Sequence, residues 1–173
     1  MEKLTTKVLI TFTIIFNLNI TSAQDYGNLQ YALSGYSYRS VGPAFMSGRI
    51  ADIAIDSNNE NVWYVAVGSG GVWKTKNAGT TWMPLTDNMP FYSTGSVTID
   101  PNDSSRIWVG TGENVAGRHV GIGHGIYLSK DSGSTWNNMG LKKSEHISKI
   151  IVHPDNSDII WVASQGPLWN SGG

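Results

Sequence analysis

Three stretches of the chain share one order of apolar and polar positions. The first runs from Ile50 to Asp56, through a polar turn, and on from Val62 to Val67. The second runs from Thr94 to Asp100, through a turn opening with Pro101, and on from Ile107 to Thr111. The third runs from Ile147 to His153, through a turn opening with Pro154, and on from Ile159 to Ala163. Aligning Asp56, Asp100 and His153 places Tyr64, Trp108 and Trp161 at one common offset. Ile53/Ile55, Val97/Ile99 and Ile150/Val152 alternate with other residues, as in strands with one buried face. The runs are short, rich in β-branched and aromatic residues, and bounded by Asp, Asn, Pro and Ser, which favours strands joined by tight turns. No helical period follows residue 23.

A second pattern closes the first two units. Ser129-Lys130-Asp131-Ser132-Gly133-Ser134-Thr135-Trp136 reads S-x-D-x-G-x-T-W, and Thr75-Lys76-Asn77-Ala78-Gly79-Thr80-Thr81-Trp82 repeats it with Asn for Asp. The Asp or Asn side chain can accept hydrogen bonds from backbone N–H groups of its own turn. The glycine two residues on permits a conformation that a side chain would penalise. The Trp is expected to fold back into the apolar layer, contributing about 2–3 kcal/mol by burial. Asn77, Gly79, Trp82, Asp131, Gly133 and Trp136 are therefore read as structural.

Each unit is then a first strand, a turn, a second strand, a loop, a third strand (Gly71 to Thr75, Gly125 to Ser129), the patterned turn and a short fourth strand. Repeats of this length built only of strand and turn predict an all-β protein made of four-stranded antiparallel β-propeller blades. The units fall at residues 36–90, 91–142 and 143–173, the last ending before its third strand. About two and a half blades cannot close a ring, so an incomplete propeller is expected. The second unit carries an insertion around Glu113 to Gly123, between its second and third strands. In an up-and-down blade that loop emerges opposite the patterned turn, at the end where function is usually built.

Composition narrows the classes. Residues 1–23 have the layout of a secretory signal peptide: Lys3 and Lys7, an apolar run from Val8 to Ile20, and small residues to Ala23, where cleavage is expected. Asn17 and Asn19 break the run, against a membrane span. A secreted, periplasmic or cell-surface location is expected, with no span in residues 24–173. The chain has no Cys, so packing rather than disulfides must hold it. Lys and Arg number 12 against 13 Asp and Glu with no basic stripe, which argues against a nucleic-acid partner. Only 14% of residues are charged, beside 20 Gly and 7 Trp, as suits a turn-rich β protein.

The S-x-D-x-G-x-T-W pattern resembles the Asp-box, or BNR repeat, of sialidases, sortilin-type receptors and xyloglucanases. Val41-Gly42-Pro43, Ser47-Gly48-Arg49-Ile50, the stretch from Trp63 to Thr75, Gly110-Thr111-Gly112-Glu113 and Gly166-Pro167-Leu168-Trp169 resemble bacterial secreted, sortilin-like or glycosyl hydrolase-like propellers. The resemblance implies a large propeller of which this chain is the N-terminal part. In xyloglucanases a catalytic Asp precedes a Gly-Gly pair at the end of the first blade's second strand. Here Gly68-Ser69-Gly70-Gly71 stands at that place, with Gly68 where the Asp would be. The arginines after the signal are Arg39, Arg49, Arg106 and Arg118, with no cluster for the acidic sugars of sialidases.

Two functions remain open. One is a binding module for polysaccharide or for a peptide or protein ligand, which needs no carboxylate pair. The other is a xyloglucanase-like glycoside hydrolase, whose paired carboxylates are not visible here. The candidate ligand-binding residues are Glu113, Arg118, His119 and His124 in the insertion, Trp169, and Arg49. Glu113 can be a general acid or base with His119 and His124 beside it, or simply a polar residue of a solvated glycine-rich loop. Trp169 is either a sugar platform or a packing residue. Arg49 either reaches the channel or pairs with a carboxylate such as Asp52. Trp63, Trp73, Trp108 and Trp161 are expected in the core. Asp52, Ser96 and Lys149 occupy equivalent places and either line a wet channel or face solvent. The two histidines lack ligand-spaced partners, so no metal is expected, and no cofactor.

Overall fold

The structure, a computed structural model, describes residues 49–115 and 120–168, together with Tyr31, Ser34 and Gly35. The expected signal peptide, and Arg118, His119 and Trp169, lie outside the described residues. Strands β1 (Ile50–Ile55), β2 (Trp63–Val67), β3 (Gly71–Thr75) and β4 (Met83–Pro84) form one sheet in that spatial order. Strands β5 (Thr94–Asp100), β6 (Asp103–Thr111), β7 (Ile126–Ser129) and β8 (Asn137–Gly140) form a second. Strands β9 (Ile147–His153) and β10 (Asn156–Ser164) pair as a third. Every pairing is antiparallel between sequential strands, the up-and-down order of a propeller blade. The fold is all-β and forms part of a propeller.

Local chemistry accounts for the turns. After each first strand an anchor side chain accepts the N–H two residues on: Asp56 Oδ1 from Asn58 at 2.9 Å, Asp100 Oδ1 from Asn102 at 2.9 Å, and His153 Nδ1 from Asp155 at 3.1 Å. His153 can replace Asp because its ring nitrogen offers the same acceptor at the same place. The patterned turns are equally alike. Asn77 Oδ1 accepts from Thr81 N and Asp131 Oδ1 from Thr135 N, each at 2.8 Å. The hydroxyls of Thr75 and Ser129 accept from the N–H of Gly79 and Gly133 at 3.0 and 2.8 Å. Both glycines lie in the left-handed region, at φ 87° and 94°. The two turns differ in the last hydroxyl: Asn77 Nδ2 donates to Thr81 Oγ1, whereas Thr135 Oγ1 donates to Asp131 Oδ2.

The core lies between sheets. One cluster joins the first and second sheets through Tyr64, Ala66, Val97, Ile107 and Val109; another joins the second and third through Trp108, Leu128, Ile150 and Val152. Each sheet thus has a trailing face, turned to the next sheet, and a leading face, turned to the previous one. The aromatic residue eight past each anchor belongs to the trailing face. Tyr64 is 1% and Trp108 4% exposed, but Trp161 is 54% exposed. On the leading face the order reverses: Ile53 is 52% exposed, while Val97 and Ile150 are 1% and 0%.

These values correct several expectations. Ile53 and Ile55 alternate as a strand should, yet their face is open because no described sheet precedes the first. Of the four strand tryptophans only Trp108 is core; Trp63 and Trp73 are half-buried and Trp161 is exposed. Trp82 is also exposed, resting edge-on against Trp63 at 6.4 Å on the same open face. Trp136, its equivalent, is half-buried against the first cluster and donates its indole N–H to Leu85 O at 3.3 Å. The second patterned turn is also a docking point. Ser132 O accepts from Lys74 Nζ at 3.0 Å and Tyr64 OH at 3.4 Å, and the buried ammonium lies 4.8 Å from the Tyr64 ring centre. Burial lowers the Lys74 pKa and raises that of Tyr64.

Hydrogen bonds from Thr135 and Ser129 hold the Asp131 carboxyl down to about 2, below its ordinary 3.8. The folded form therefore favours the carboxylate. Its stabilising contribution is complete above pH 4 and fades as pH falls through about 2. Asp131→Asn, which reproduces the Asn77 turn, is predicted to keep the fold and to lose less thermal stability than the parent between pH 4 and pH 2, read by circular dichroism.

Candidate functional site

The ends of the sheets opposite the patterned turns are organised by one repeated backbone hydrogen bond. Arg49 O accepts from Gly68 N at 2.8 Å, Ser93 O from Gly112 N at 2.9 Å, and His146 O from Gln165 N at 2.9 Å. Arg49, Ser93 and His146 stand at one register position, just ahead of β1, β5 and β9. Each bond ties the start of a first strand to the end of its second strand and so fixes the path of the chain as it leaves β2, β6 and β10.

Glu113 lies just past β6 and is held from several sides. Its N–H donates to Gly121 O at 3.0 Å, and its carbonyl accepts from His146 Nδ1 at 2.8 Å. Because that partner is a carbonyl, Nδ1 carries the imidazole proton. The carboxyl group reaches back to the first sheet. Arg49 Nε donates to Glu113 Oε1 at 2.6 Å and Arg49 Nη2 contacts the same oxygen. The Glu113 side chain is 2% exposed, while that of Arg49 is 58% exposed, so the guanidinium roofs the carboxylate. Oε2 has no hydrogen-bond partner among the described residues.

Gly68 makes this arrangement possible. A Cβ there would run into Glu113 Oε1 and lie 3.0 Å from its Cδ. The resemblance to xyloglucanases puts a carboxylate-bearing residue at position 68. Here Gly68 leaves the space, and a carboxylate delivered by the second sheet fills it.

The remaining candidates take different positions. Arg49 pairs with Glu113 rather than Asp52. Asp52 instead takes Lys149 Nζ at 3.0 Å and Val97 N at 3.2 Å, so an ion pair spans from β1 to β9 across β5. Ser96, at the equivalent place between them, is fully buried and faces no solvent. His124 is exposed; its N–H donates to Thr111 Oγ1 at 2.7 Å and its carbonyl accepts from Asn138 Nδ2 at 3.0 Å. The structure brings Arg49 and Glu113 together and leaves His124 apart. Asn77, Gly79, Trp82, Asp131, Gly133 and Trp136 sit at the opposite end. Among the described residues no group of three or more His, Cys, Asp or Glu side chains could hold a metal ion.

Two features escaped sequence reasoning. His146 is buried and orients Glu113; its signal was its offset from His153, the same as that of Arg49 from Asp56. A groove of about 540 Å³ runs beside the β2–β3 turn, lined by Gly70, Gly71, Thr86, Asp87, Met89, Pro90, Phe91 and Tyr92. Tyr92 exposes most of its ring there, and Gly71 N donates to its carbonyl at 2.8 Å. No pattern in the irregular stretch between β4 and β5 announces this groove.

Known proteins match this architecture. Part of the chain is similar in sequence to xyloglucanases. A xyloglucanase of Hypocrea jecorina is 30% identical over 120 residues, covering 53% of this chain and 13% of that protein. An oligoxyloglucan-reducing end-specific xyloglucanase of Emericella nidulans is 23% identical over 134 residues, covering 68% of this chain and 16% of that protein. The crystal structure of a GH74 enzyme of Niastella koreensis superposes with a TM-score of 0.51 at 26% identity, over 65% of this chain and 16% of that one. No family model matches the chain. The likeness supports a glycosyl hydrolase-like propeller, and the chain spans under a fifth of the relatives' length.

Gly68→Ala is predicted to destabilise the protein by about 1–3 kcal/mol, as overpacking does. Glu113→Ala should abolish most of that penalty in the double variant, because the colliding carboxyl is gone. A urea-unfolding cycle over the four proteins measures the coupling. Additive losses would mean the two positions do not share the space.

Proposed function

We propose that the chain belongs to an exported, xyloglucanase-like propeller and contributes to polysaccharide binding rather than supplying the reacting carboxylates. The ligand approaches the end that carries Arg49, the Glu113 loop and the groove beside Tyr92. The observation that carries this reading is the state of the one carboxylate at the expected catalytic place. A general acid or base must reach the substrate within hydrogen-bond distance. Glu113 is buried beneath Arg49 and its charge is already matched. Neutral sugar rings are held instead by exposed aromatic faces and hydroxyl partners, of which Tyr92 and Asp87 line the groove. The xyloglucanase relatives favour a glucan over a peptide ligand.

A second reading keeps the hydrolase, with carboxylates supplied from beyond these sheets. It is favoured by the activity for which both relatives are named. Export through residues 1–23 belongs to the same proposal, and N-terminal mass analysis of protein from the culture medium or periplasm tests it.

Affinity electrophoresis through gels containing xyloglucan, other β-glucans or no polysaccharide separates the readings. Retardation by xyloglucan without release of reducing ends is expected, with Tyr92→Ala weakening it several-fold. Release of reducing ends would establish the hydrolase reading. Free migration in every gel, with binding to a peptide array, would overturn the polysaccharide ligand.

A further inference from the structure

The residues from Tyr92 to Thr94 form a joint between two loops. On one side they hold the β2–β3 turn. Gly71 N donates to Tyr92 O at 2.8 Å, Ser93 Oγ donates to Gly68 O at 2.8 Å, and Thr94 Oγ1 donates to Val67 O at 2.7 Å. On the other side they hold the insertion that follows β6. Gly112 N donates to Ser93 O at 2.9 Å, and Ser93 Oγ lies 3.0 Å from Gly121 O, which also accepts from Glu113 N. Ser93 thus bonds to both loops, and it is fully buried. Its hydroxyl carries one proton, shared between the carbonyls of Gly68 and Gly121. A buried carbonyl that loses its donor is costly, so the two loops are tied through one atom.

Gly121 permits this closeness. A Cβ there would lie 2.5 Å from Ser93 Oγ, 2.6 Å from Ser93 Cβ and 3.7 Å from Tyr92 Cε2. The bare backbone of the insertion therefore runs against Ser93 and beside the edge of the Tyr92 ring. The joint lies between the first and second sheets, at the end of the groove that Tyr92 lines.

We propose that Ser93 is a positioning residue for the polysaccharide: its hydroxyl fixes the Tyr92 ring and the insertion as one wall of the groove. This rests on the reading of the groove as a polysaccharide site. Ser93 is buried and acts through its neighbour, by holding the ring in place before the ligand arrives. Binding then spends less on ordering the wall. Without the hydroxyl, the β2–β3 turn and the insertion are no longer tied to each other, and the ring between them loses its fixed orientation.

Hydrogen exchange reads the joint without ligand. Ser93→Ala should speed exchange of the Gly71, Gly112 and Glu113 amides together, since these bond to the joint or to Gly121, and leave the mid-strand amides of β2 and β6 unchanged. Affinity electrophoresis in xyloglucan reads the ligand. Ser93→Ala should weaken retardation several-fold. In a Tyr92→Ala background it should weaken it no further, because a residue that acts through Tyr92 then has nothing to position. Gly121→Ala, which sets a side chain against Ser93 from the insertion, should show the same loss and the same failure to add. It replaces Ser93→Ala in both measurements if that variant does not fold by circular dichroism. Full affinity in Ser93→Ala, losses that add to that of Tyr92→Ala, or exchange that quickens in only one loop would overturn the role of Ser93 in a parent that xyloglucan retards. A parent that xyloglucan does not retard, with exchange quickened in both loops, would instead overturn the polysaccharide reading and the positioning role with it.

Discussion

The packing of one sheet's trailing aromatic against the next sheet's aliphatic first strand is the interaction on which everything else here depends. In a chain without Cys, a four-stranded sheet of this size has no core of its own and no crosslink to replace one. Tyr64 and Trp108 acquire a core only because Val97 and Ile150 close over them. An aromatic ring buries more area than any aliphatic side chain, and contact with the facing strand excludes water from both. Polar groups then set the register. Asp52 accepts from Val97 N, Thr98 Oγ1 donates to Ile150 O, and Ser104 Oγ donates to Asp56 Oδ1. Each of these crosses from one sheet to the next, so a sheet cannot slide without breaking several.

The candidate site is a consequence of that registry. Because the second sheet is held at fixed height against the first, the chain leaving β6 lands above the residue after β2. The repeated bond from the start of each first strand places Arg49 beside it. A glycine at 68 and a glutamate at 113 are then complementary in volume, and the arginine neutralises a charge that burial alone would oppose. The chemistry at this end is an interaction between two sheets and belongs to neither separately.

That dependence explains how much of the molecule was legible in its sequence. The strand order, the patterned turns and the equivalence of Asp56, Asp100 and His153 come from local chemistry, and β5 and β9 fall on the expected residues. The insertion's placement opposite the patterned turns comes from alternation. Burial was not legible in this way. Ile53 and Val97 read identically, as do Trp108 and Trp161, because a strand's own pattern states which face is apolar and not whether a neighbour covers it. The partner of Arg49 was equally hidden. Asp52 is close in sequence, whereas Glu113 becomes a neighbour only through the stacking of sheets. The groove at Tyr92 is formed by irregular backbone between β4 and β5, where no period exists to read.

The most direct test compares two residues at the same place in the repeat. Urea unfolding should show Trp108→Ala losing about 3–5 kcal/mol, as large aromatic truncations in a core do. Trp161→Ala should stay within about 0.5 kcal/mol of the parent, as surface changes do. Equal losses at the two positions, or a Trp108→Ala variant as stable as the parent, would contradict the claim that stacking of successive sheets holds this fold together.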